Sequence, residues 1–326
     1  MRALVTGGHG FIGSHLVRRL QAEGVAVRCL SRRPGIPPAL EGLGVEIVPG
    51  DLRAATGLDA ALAGVDEVYH LAGLTSSLSR AAMIETNVEG TRRLLEAAGT
   101  AGLPGRFVFC SSSSVAGPVP ADAPATEATP CRPLTWYAES KLAAERVARE
   151  HMEALSVAIL RPPAVYGPRD EAWLPLFQSA ARGVALLAGR PDKRYSLIHA
   201  ADLAGAFLAA AREPAAAGGT WFVAHPEIVT LEAIVTAAEA AVDRRTRRLA
   251  VPESLMRLLG RIVDLGSQWT GRSSVMGSQR MREVATGDWT CDPSAFEAAT
   301  GWRAGTALTE GFAATAAWYR AEGLIG

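Results

Sequence analysis

Apolar positions fall in short runs separated by longer stretches with helical spacing. Met1–Thr6, Val25–Leu30, Val45–Leu52, Val65–His70 and Arg106–Cys110 are the short runs, each ending at glycine, serine or a polar turn. Between them lie Ser14–Leu20 and Ala81–Ala98, and after them Tyr137–Met152, with apolar residues three and four apart. Strands alternating with helices predict a parallel sheet covered on both faces, an α/β class chain of doubly wound form. The alternation holds to about residue 167 and then breaks. Glu171–Arg182 predicts a helix over the sheet edge, Ala200–Arg212 and Thr220–Ala224 a helix and strand that rejoin the sheet, and the chain from Val229 onward is mostly helical. The expected division is a nucleotide-binding unit over 1–167, rejoined by about 195–225, with 168–194 and 226–326 as a smaller substrate-binding region. Pro252–Ser267 carries Leu255, Leu258, Leu259, Ile262, Val263 and Leu265 on one broad face. That predicts a core- or lid-facing helix which, with Trp173, Phe177 and Trp269, suits a substrate with hydrophobic bulk.

The first strand runs into Gly7-Gly8-His9-Gly10-Phe11-Ile12-Gly13 and then a helix. Gly8, Gly10 and Gly13 match G-x-G-x-x-G, and Gly7, Gly10 and Gly13 a neighbouring version. Strand before and helix after is the context of a dinucleotide site, where glycines let the backbone approach a pyrophosphate and the helix offers its free N–H groups. An acid that would hold the ribose 2′-OH of NAD is expected after the second strand. That place reads Ser31-Arg32-Arg33, with no carboxylate before Glu41, which suits a 2′-phosphate and predicts NADP, with NAD as second choice. Asp51 is read either as a partner of the adenine amino group or as a helix cap. His70 is read as a packed strand-end residue, and Leu71-Ala72-Gly73 as a small-residue turn that lets the backbone approach the cofactor.

Tyr137 and Lys141 sit one turn apart on one helical face. The chain has 33 basic residues, of which two, Lys141 and Lys193, are lysines. A compact ammonium kept at this spacing favours the phenolate and tunes the phenol for proton transfer. The serine run Ser111–Ser114 follows the fifth strand, at the edge where open α/β sheets bind ligands.

In these pieces the chain resembles the extended short-chain dehydrogenase/reductases of NAD(P)-dependent epimerase/dehydratase type. Further carriers are Asn87-Val88-Glu89-Gly90-Thr91, Arg161-Pro162-Pro163-Ala164-Val165-Tyr166-Gly167-Pro168, Tyr195–Ala204 and Gly301-Trp302, all in family order. The resemblance implies Tyr137 as acid/base, Lys141 as ribose ligand and modulator of the phenol, and Ser112 as the oxyanion-stabilising hydroxyl, with Ser113 in reserve. It implies a cofactor site lined by Gly7, Gly10, Phe11, Ile12, Gly13, Ser31, Arg32, Arg33, Asp51, Leu52, Leu71, Ala72, Gly73, Lys141 and Pro163. A homodimer paired through the two long helices is also implied. Ala164 and Tyr195 stand where sugar-nucleotide enzymes of the family often have Asn and Arg, and Ser113-Ser114 where its dehydratases have an acidic pair. The nearest likeness is to the dihydroflavonol-reductase and 3β-hydroxysteroid-dehydrogenase branch. The expected activity is an NADP-dependent interconversion of carbonyl and secondary alcohol. The alternatives are an NAD-dependent nucleotide-sugar epimerase/dehydratase or a nucleotide-binding regulator without chemistry.

Composition narrows the partners. Hydrophobic residues make up 48% of 326 and formal net charge is zero, which argues for a large core and against nucleic acid. Cys29, Cys110, Cys131 and Cys291 have no C-x-x-C spacing and read as reduced thiols of a cytoplasmic protein. Six histidines show no metal-ligand spacing. Neither a signal peptide nor an apolar run of membrane-spanning length is expected.

Overall fold

A computed structural model describes residues 1–32, 35–77, 79–188, 190–251, 283 and 286–326. Seven strands form one wholly parallel sheet: β1 Arg2–Thr6, β2 Ala26–Ser31, β3 Glu46–Pro49, β4 Glu67–His70, β5 Arg106–Cys110, β6 Ser156–Arg161 and β10 Thr220–Phe222. Their spatial order is β10-β6-β5-β4-β1-β2-β3. The order reverses between β1 and β4, which opens a crevice at the carboxyl edge there, the place where such sheets take ligands.

The helices are α1 Phe11–Ala22, α2 Leu58–Leu62, α3 Arg80–Met83, α4 Gly90–Thr100, α5 Trp136–Glu150, α6 Leu174–Ala181, α7 Ala200–Arg212, α8 Leu231–Val242, α9 Ser294–Thr300 and α10 Leu308–Ala321. Two cores flank the sheet. Leu16, Val17, Leu20, Leu203 and Phe207 of α1 and α7 pack on one face. Leu94, Leu95, Ala144 and Val147 of α4 and α5 pack on the other. Strands buried on both faces need apolar side chains throughout, which is why their sequence reads as continuous runs rather than alternation.

Several expected bounds change. The helix expected over Ala81–Ala98 is interrupted by a π-helical turn, Ile84–Glu89, between α3 and α4. The third strand stops at Pro49, because Asp51 and Thr56 pair backbone to backbone in a tight turn. The carboxyl-terminal region is mostly helical but also holds strands that the pattern did not suggest. β7 Ala164–Tyr166, β9 Arg194–His199 and β11 Ile228–Thr230 form one small sheet, and β8 Val184–Ala188 and β12 Arg247–Val251 another.

Phe177 does not face a substrate cleft as expected, and Trp173 is half-buried beside it. Phe177 is fully buried against Phe312 and Tyr319, with ring centroids 5.1 and 5.2 Å apart, and Trp173 packs on Phe312 at 5.8 Å. This aromatic cluster is the core of the carboxyl-terminal region, where burying ring surface stabilises more than lining an open cleft. The helix expected over Pro252–Ser267, and Trp269, lie outside the described residues. Among the described residues no helix is long and apolar enough to cross a membrane, and no cluster of His, Cys, Asp and Glu is arranged to hold a metal. The four cysteines are unbridged.

Candidate active site

The glycine turn after β1 is built by contact. Gly7 has φ +72°, and a Cβ there would sit 2.8 Å from the Ala72 amide nitrogen. A Cβ on Gly13 would sit 2.1 Å from the Gly7 carbonyl oxygen. Gly7, Gly10 and Gly13 are therefore the working register, with Gly10 N donating to Gly7 O at 3.0 Å. Gly8 instead packs on Cys29. Gly10 caps α1 without a side-chain bond, so no side chain of the cap competes for the first-turn N–H groups at Phe11 and Ile12. A backbone cradle that any Cβ would fill, facing a helix amino end at the switch point, fits a dinucleotide pyrophosphate.

Across the crevice, Leu71 N donates to Thr6 O at 3.1 Å and Ala72 N to Thr6 Oγ1 at 3.2 Å, which holds the Leu71–Gly73 turn against the glycine loop. His70 beneath it is fully buried between Thr6 Oγ1 at 2.7 Å and Thr91 Oγ1 at 2.8 Å. Thr91 donates to Asn87 O, so it accepts from His70 Nε2–H, and Nδ1 accepts from Thr6. His70 is a neutral packing residue, as its position suggested. Burial, and then the Lys141 charge, push its pKa down to about 3. Burial and Arg169 likewise hold His15, whose Nε2 donates to Pro168 O at 2.8 Å, down to about 4. Both histidines bind protons more readily when unfolded, so stability is full above pH 6.5 and falls as pH drops below it. At pH 4.5 the cost from His70 alone is on the order of 3 kcal/mol. Urea midpoints measured from pH 7 to 4.5 are expected to fall steadily, and a His70→Asn variant should show a shallower slope.

Beyond β2, Ser31 is buried at the strand end and Arg32 is exposed. Arg33 lies outside the described residues. Asp51 caps no helix, since α2 starts from Gly57. Its carboxylate accepts from Arg53 N at 2.9 Å and pairs with the Arg53 guanidinium at 3.1 Å, and that bond holds its pKa below the usual carboxylate range. Leu52 is buried under Gly90. Pro163 is buried between β6 and β7.

The catalytic candidates converge at the same edge. Thr135 caps α5, accepting from Ala138 N at 3.2 Å and donating to Glu283 Oε1 at 3.2 Å. Tyr137 is half-buried one residue into the helix. Lys141, 4% exposed, donates to Cys110 O at 2.8 Å and lies 5.0 Å from the centre of the Phe109 ring. A Cβ on Gly73 would be 3.3 Å from its Nζ, so the ammonium sits directly against the crevice wall. Ser112, in extended conformation just past β5, accepts from Ser114 N at 3.2 Å and Ser114 Oγ at 2.9 Å. Those two donors leave the Ser112 proton to be given to a third oxygen. Ser111 is excluded from that role, because its hydroxyl is spent on Glu145 at 2.6 Å. Ser113 starts the short 3-10 turn, its N–H donating to Pro162 O at 2.9 Å.

Two groups given no site role by the sequence stand out, although Asn87 lies in one of the pieces that carry the family resemblance. Asn87, in the π turn, accepts from Leu74 N at 2.7 Å and donates to Leu74 O and Ser140 Oγ, both at 2.9 Å. It pins the turn after β4 to the Tyr137 helix, and π turns recur at functional sites. Glu145, fully buried, lies one turn beyond Lys141 and pairs with buried Arg161. Ala164 and Tyr195 are half-buried on β7 and β9, with Lys193 Nζ 5.5 Å from the centre of the Tyr195 ring.

The family model for the NAD dependent epimerase/dehydratase family matches residues 3–224. Ceramide reductase of Caulobacter vibrioides (strain NA1000 / CB15N) is 34% identical over 321 residues, covering 98% of this chain and 95% of that one. The 3 beta-hydroxysteroid dehydrogenase/Delta 5→4-isomerase of Mycobacterium tuberculosis (strain ATCC 25618 / H37Rv) is 33% identical over 71% of this chain and 66% of its own. Among solved structures, MoeE5 in complex with UDP-glucose and NAD superposes with a TM-score of 0.78 at 28% identity, covering 99% of each chain.

Proposed function

This chain belongs to the NAD dependent epimerase/dehydratase family of extended short-chain dehydrogenase/reductases and is an NAD(P)-dependent enzyme of that kind, and we propose that it is an NADP-dependent oxidoreductase interconverting a carbonyl and a secondary alcohol. The observation that carries the reading is the buried Lys141 ammonium, set against Gly73 and one turn from Tyr137 at the switch-point crevice. A nicotinamide dinucleotide bound in that crevice would supply or take the hydride. Gly7, Gly10 and Gly13 with the α1 amino end would hold its pyrophosphate, Leu71–Gly73 and Pro163 would line it, and Lys141 would hold its ribose. Tyr137 gives the proton to the carbonyl oxygen in reduction and takes it back in oxidation. Lys141 favours the phenolate in the second role. Ser112 donates its one remaining proton to the same oxygen, where negative charge develops.

The substrate is proposed to be an apolar ketone or alcohol, of the lipid kind that the name ceramide reductase implies for that relative. Ala164 and Tyr195 support this over a nucleotide sugar, because neither supplies the amide or the cation that a sugar diphosphate would need. Residues 168–194 and 226–326 are the proposed substrate region. The faces of α4 and α5, tied together by the exposed Arg92–Glu150 pair at 3.2 Å, are the proposed two-fold interface. The experiment is to follow NADPH absorbance with long-chain ketones, steroid ketones and UDP-sugars. Net oxidation with an apolar ketone supports the reading. Interconversion of a UDP-sugar with no net absorbance change would replace it by the epimerase reading, which the structural likeness to MoeE5 with UDP-glucose and NAD favours.

The NADP preference rests on Ser31 and Arg32 standing where an acid would hold the ribose of NAD. Arg32→Ala is expected to raise the KM for NADPH about 10- to 100-fold, the worth of one or two charge-assisted bonds, and to leave that for NADH within about twofold. Equal effects on the two cofactors would refute the preference.

A further inference from the structure

We propose that Glu145 is a positioning residue for the active site, a buried carboxylate that clamps the serine strand to the Tyr137 helix and serves as the counter-charge of Lys141. The inference rests on the roles proposed above for Tyr137, Lys141 and Ser112. Tyr137, Lys141 and Glu145 are spaced by four along α5 and so fall on one face. Glu145 has no exposure, and its two oxygens take four donors. Oε1 accepts from Ser111 Oγ at 2.6 Å and Arg161 Nε at 2.8 Å. Oε2 accepts from an Arg161 terminal nitrogen at 2.7 Å and from Arg149 at 2.9 Å. Arg161 is 3% exposed, donates also to Cys131 Sγ at 3.4 Å, and lies 5.3 Å from the centre of the Phe222 ring. One carboxylate thus joins α5 to the residue next to Ser112 and to the end of β6.

A purely structural strut would need no charge, because a well-packed apolar pair of the same volume is often as stable as a buried ion pair. The surroundings of Lys141 give the charge a use. Its neighbours are the Cys110 carbonyl, the Phe109 ring, neutral His70, the Gly73–Asn87 wall and Glu145. Burial pulls the Lys141 pKa down, and Cys110 and Glu145 oppose it. Burial raises the Cys110 thiol, which therefore stays neutral. Burial also penalises the Glu145 carboxylate, but its bonds to Arg161 and Ser111 outweigh that and hold its pKa below the usual range. Among the described residues, Glu145 is the negative charge that remains to favour Lys141 as an ammonium.

The chain's two lysines make this measurable without any substrate. Protein labelled with ¹³Cε-lysine gives two lysine signals, assigned with Lys141→Arg. Glu145→Gln is expected to move the Lys141 titration midpoint down by about one pH unit or more, to leave Lys193 in place, and to be largely rescued by Glu145→Asp. If the unpaired Arg161 prevents Glu145→Gln from folding, Glu145→Gln/Arg161→Gln removes both charges and is expected to show the same direction of shift. A folded variant of either kind with an unmoved Lys141 midpoint overturns the proposal and leaves Glu145 as a strut. This readout does not depend on turnover. Turnover by a Tyr137→Phe variant would overturn the catalytic reading separately.

Discussion

Replacing Tyr137 by Phe is expected to lower kcat by at least about 10³-fold while leaving NADPH affinity within about twofold, the upper part of the range for loss of a positioned acid/base. The substitution removes one hydroxyl and keeps the ring. The helix that presents the ring is held by contacts that do not involve the phenol: the Thr135 cap, the Lys141–Cys110 bond and the Asn87–Ser140 bond. The proposed cofactor crevice is built from Gly7, Gly13, Ala72 and the α1 amino end, none of which changes. A loss in kcat without a loss in binding therefore isolates the proton step. NADPH fluorescence titration and single-turnover rates check the two halves. A variant within tenfold of the parent rate would show that the proton reaches the substrate oxygen by another route. A variant that lost NADPH binding would show that the phenol is part of the cofactor wall instead.

Much of this site was legible before any coordinates. Of the five leading strands β1, β2, β4 and β5 are buried on both faces, whereas in the edge strand β3 only Val48 is buried; each is still a largely apolar run closed by a turn, and each was found to within a few residues. The glycine spacing specified the turn because the packing there leaves no room for a side chain. Tyr137 and Lys141 were legible as a pair because helical spacing is a local property. What stayed hidden depends on the partner. Glu145 looks like any helix-surface acid until β6 brings Arg161 beneath it. Of the two readings of Asp51, the helix cap fails because α2 begins from Gly57, and the local pairing with Arg53 was not visible in the sequence. The strands β8 and β12 pair only with each other, and β8, Val184–Ala188 just after α6, reads equally well as more apolar helix, while β12 opens on two arginines. Phe177 was expected to face substrate because aromatic residues look alike whether they line a cleft or fill a core. Phe312 and Tyr319, more than a hundred residues on, decide the matter.

Gly13→Ala is expected to weaken NADPH binding by about 100-fold and to lower Tm, although helix propensity alone predicts the opposite. Alanine in a helix is favoured over glycine by about 1 kcal/mol, and Gly13 lies in the first turn of α1. Against that, the new Cβ would stand 2.1 Å from Gly7 O and 2.8 Å from both Gly7 C and Gly8 Cα. All three are backbone atoms, so no rotamer change relieves the overlap. Gly7 has little room to retreat either, since even a Cβ on its other side would stand 2.8 Å from Ala72 N, and that turn is bonded to Thr6. The helix must then move away from the strand, at an overpacking cost of roughly 1–3 kcal/mol. The same movement would turn the Phe11 and Ile12 N–H groups from the proposed pyrophosphate position, and losing about two charge-assisted bonds would account for the affinity change. Gly99→Ala is the matched control. It lies in α4 with nothing within 4 Å of its Cβ position, and there propensity acts unopposed, so Tm is expected to rise slightly with NADPH affinity unchanged. Thermal melts with and without NADPH separate the two cases. A Gly13→Ala protein that melts higher and binds NADPH normally would show that α1 can shift outward at no cost, and that the close approach at the switch point is not what holds the cofactor.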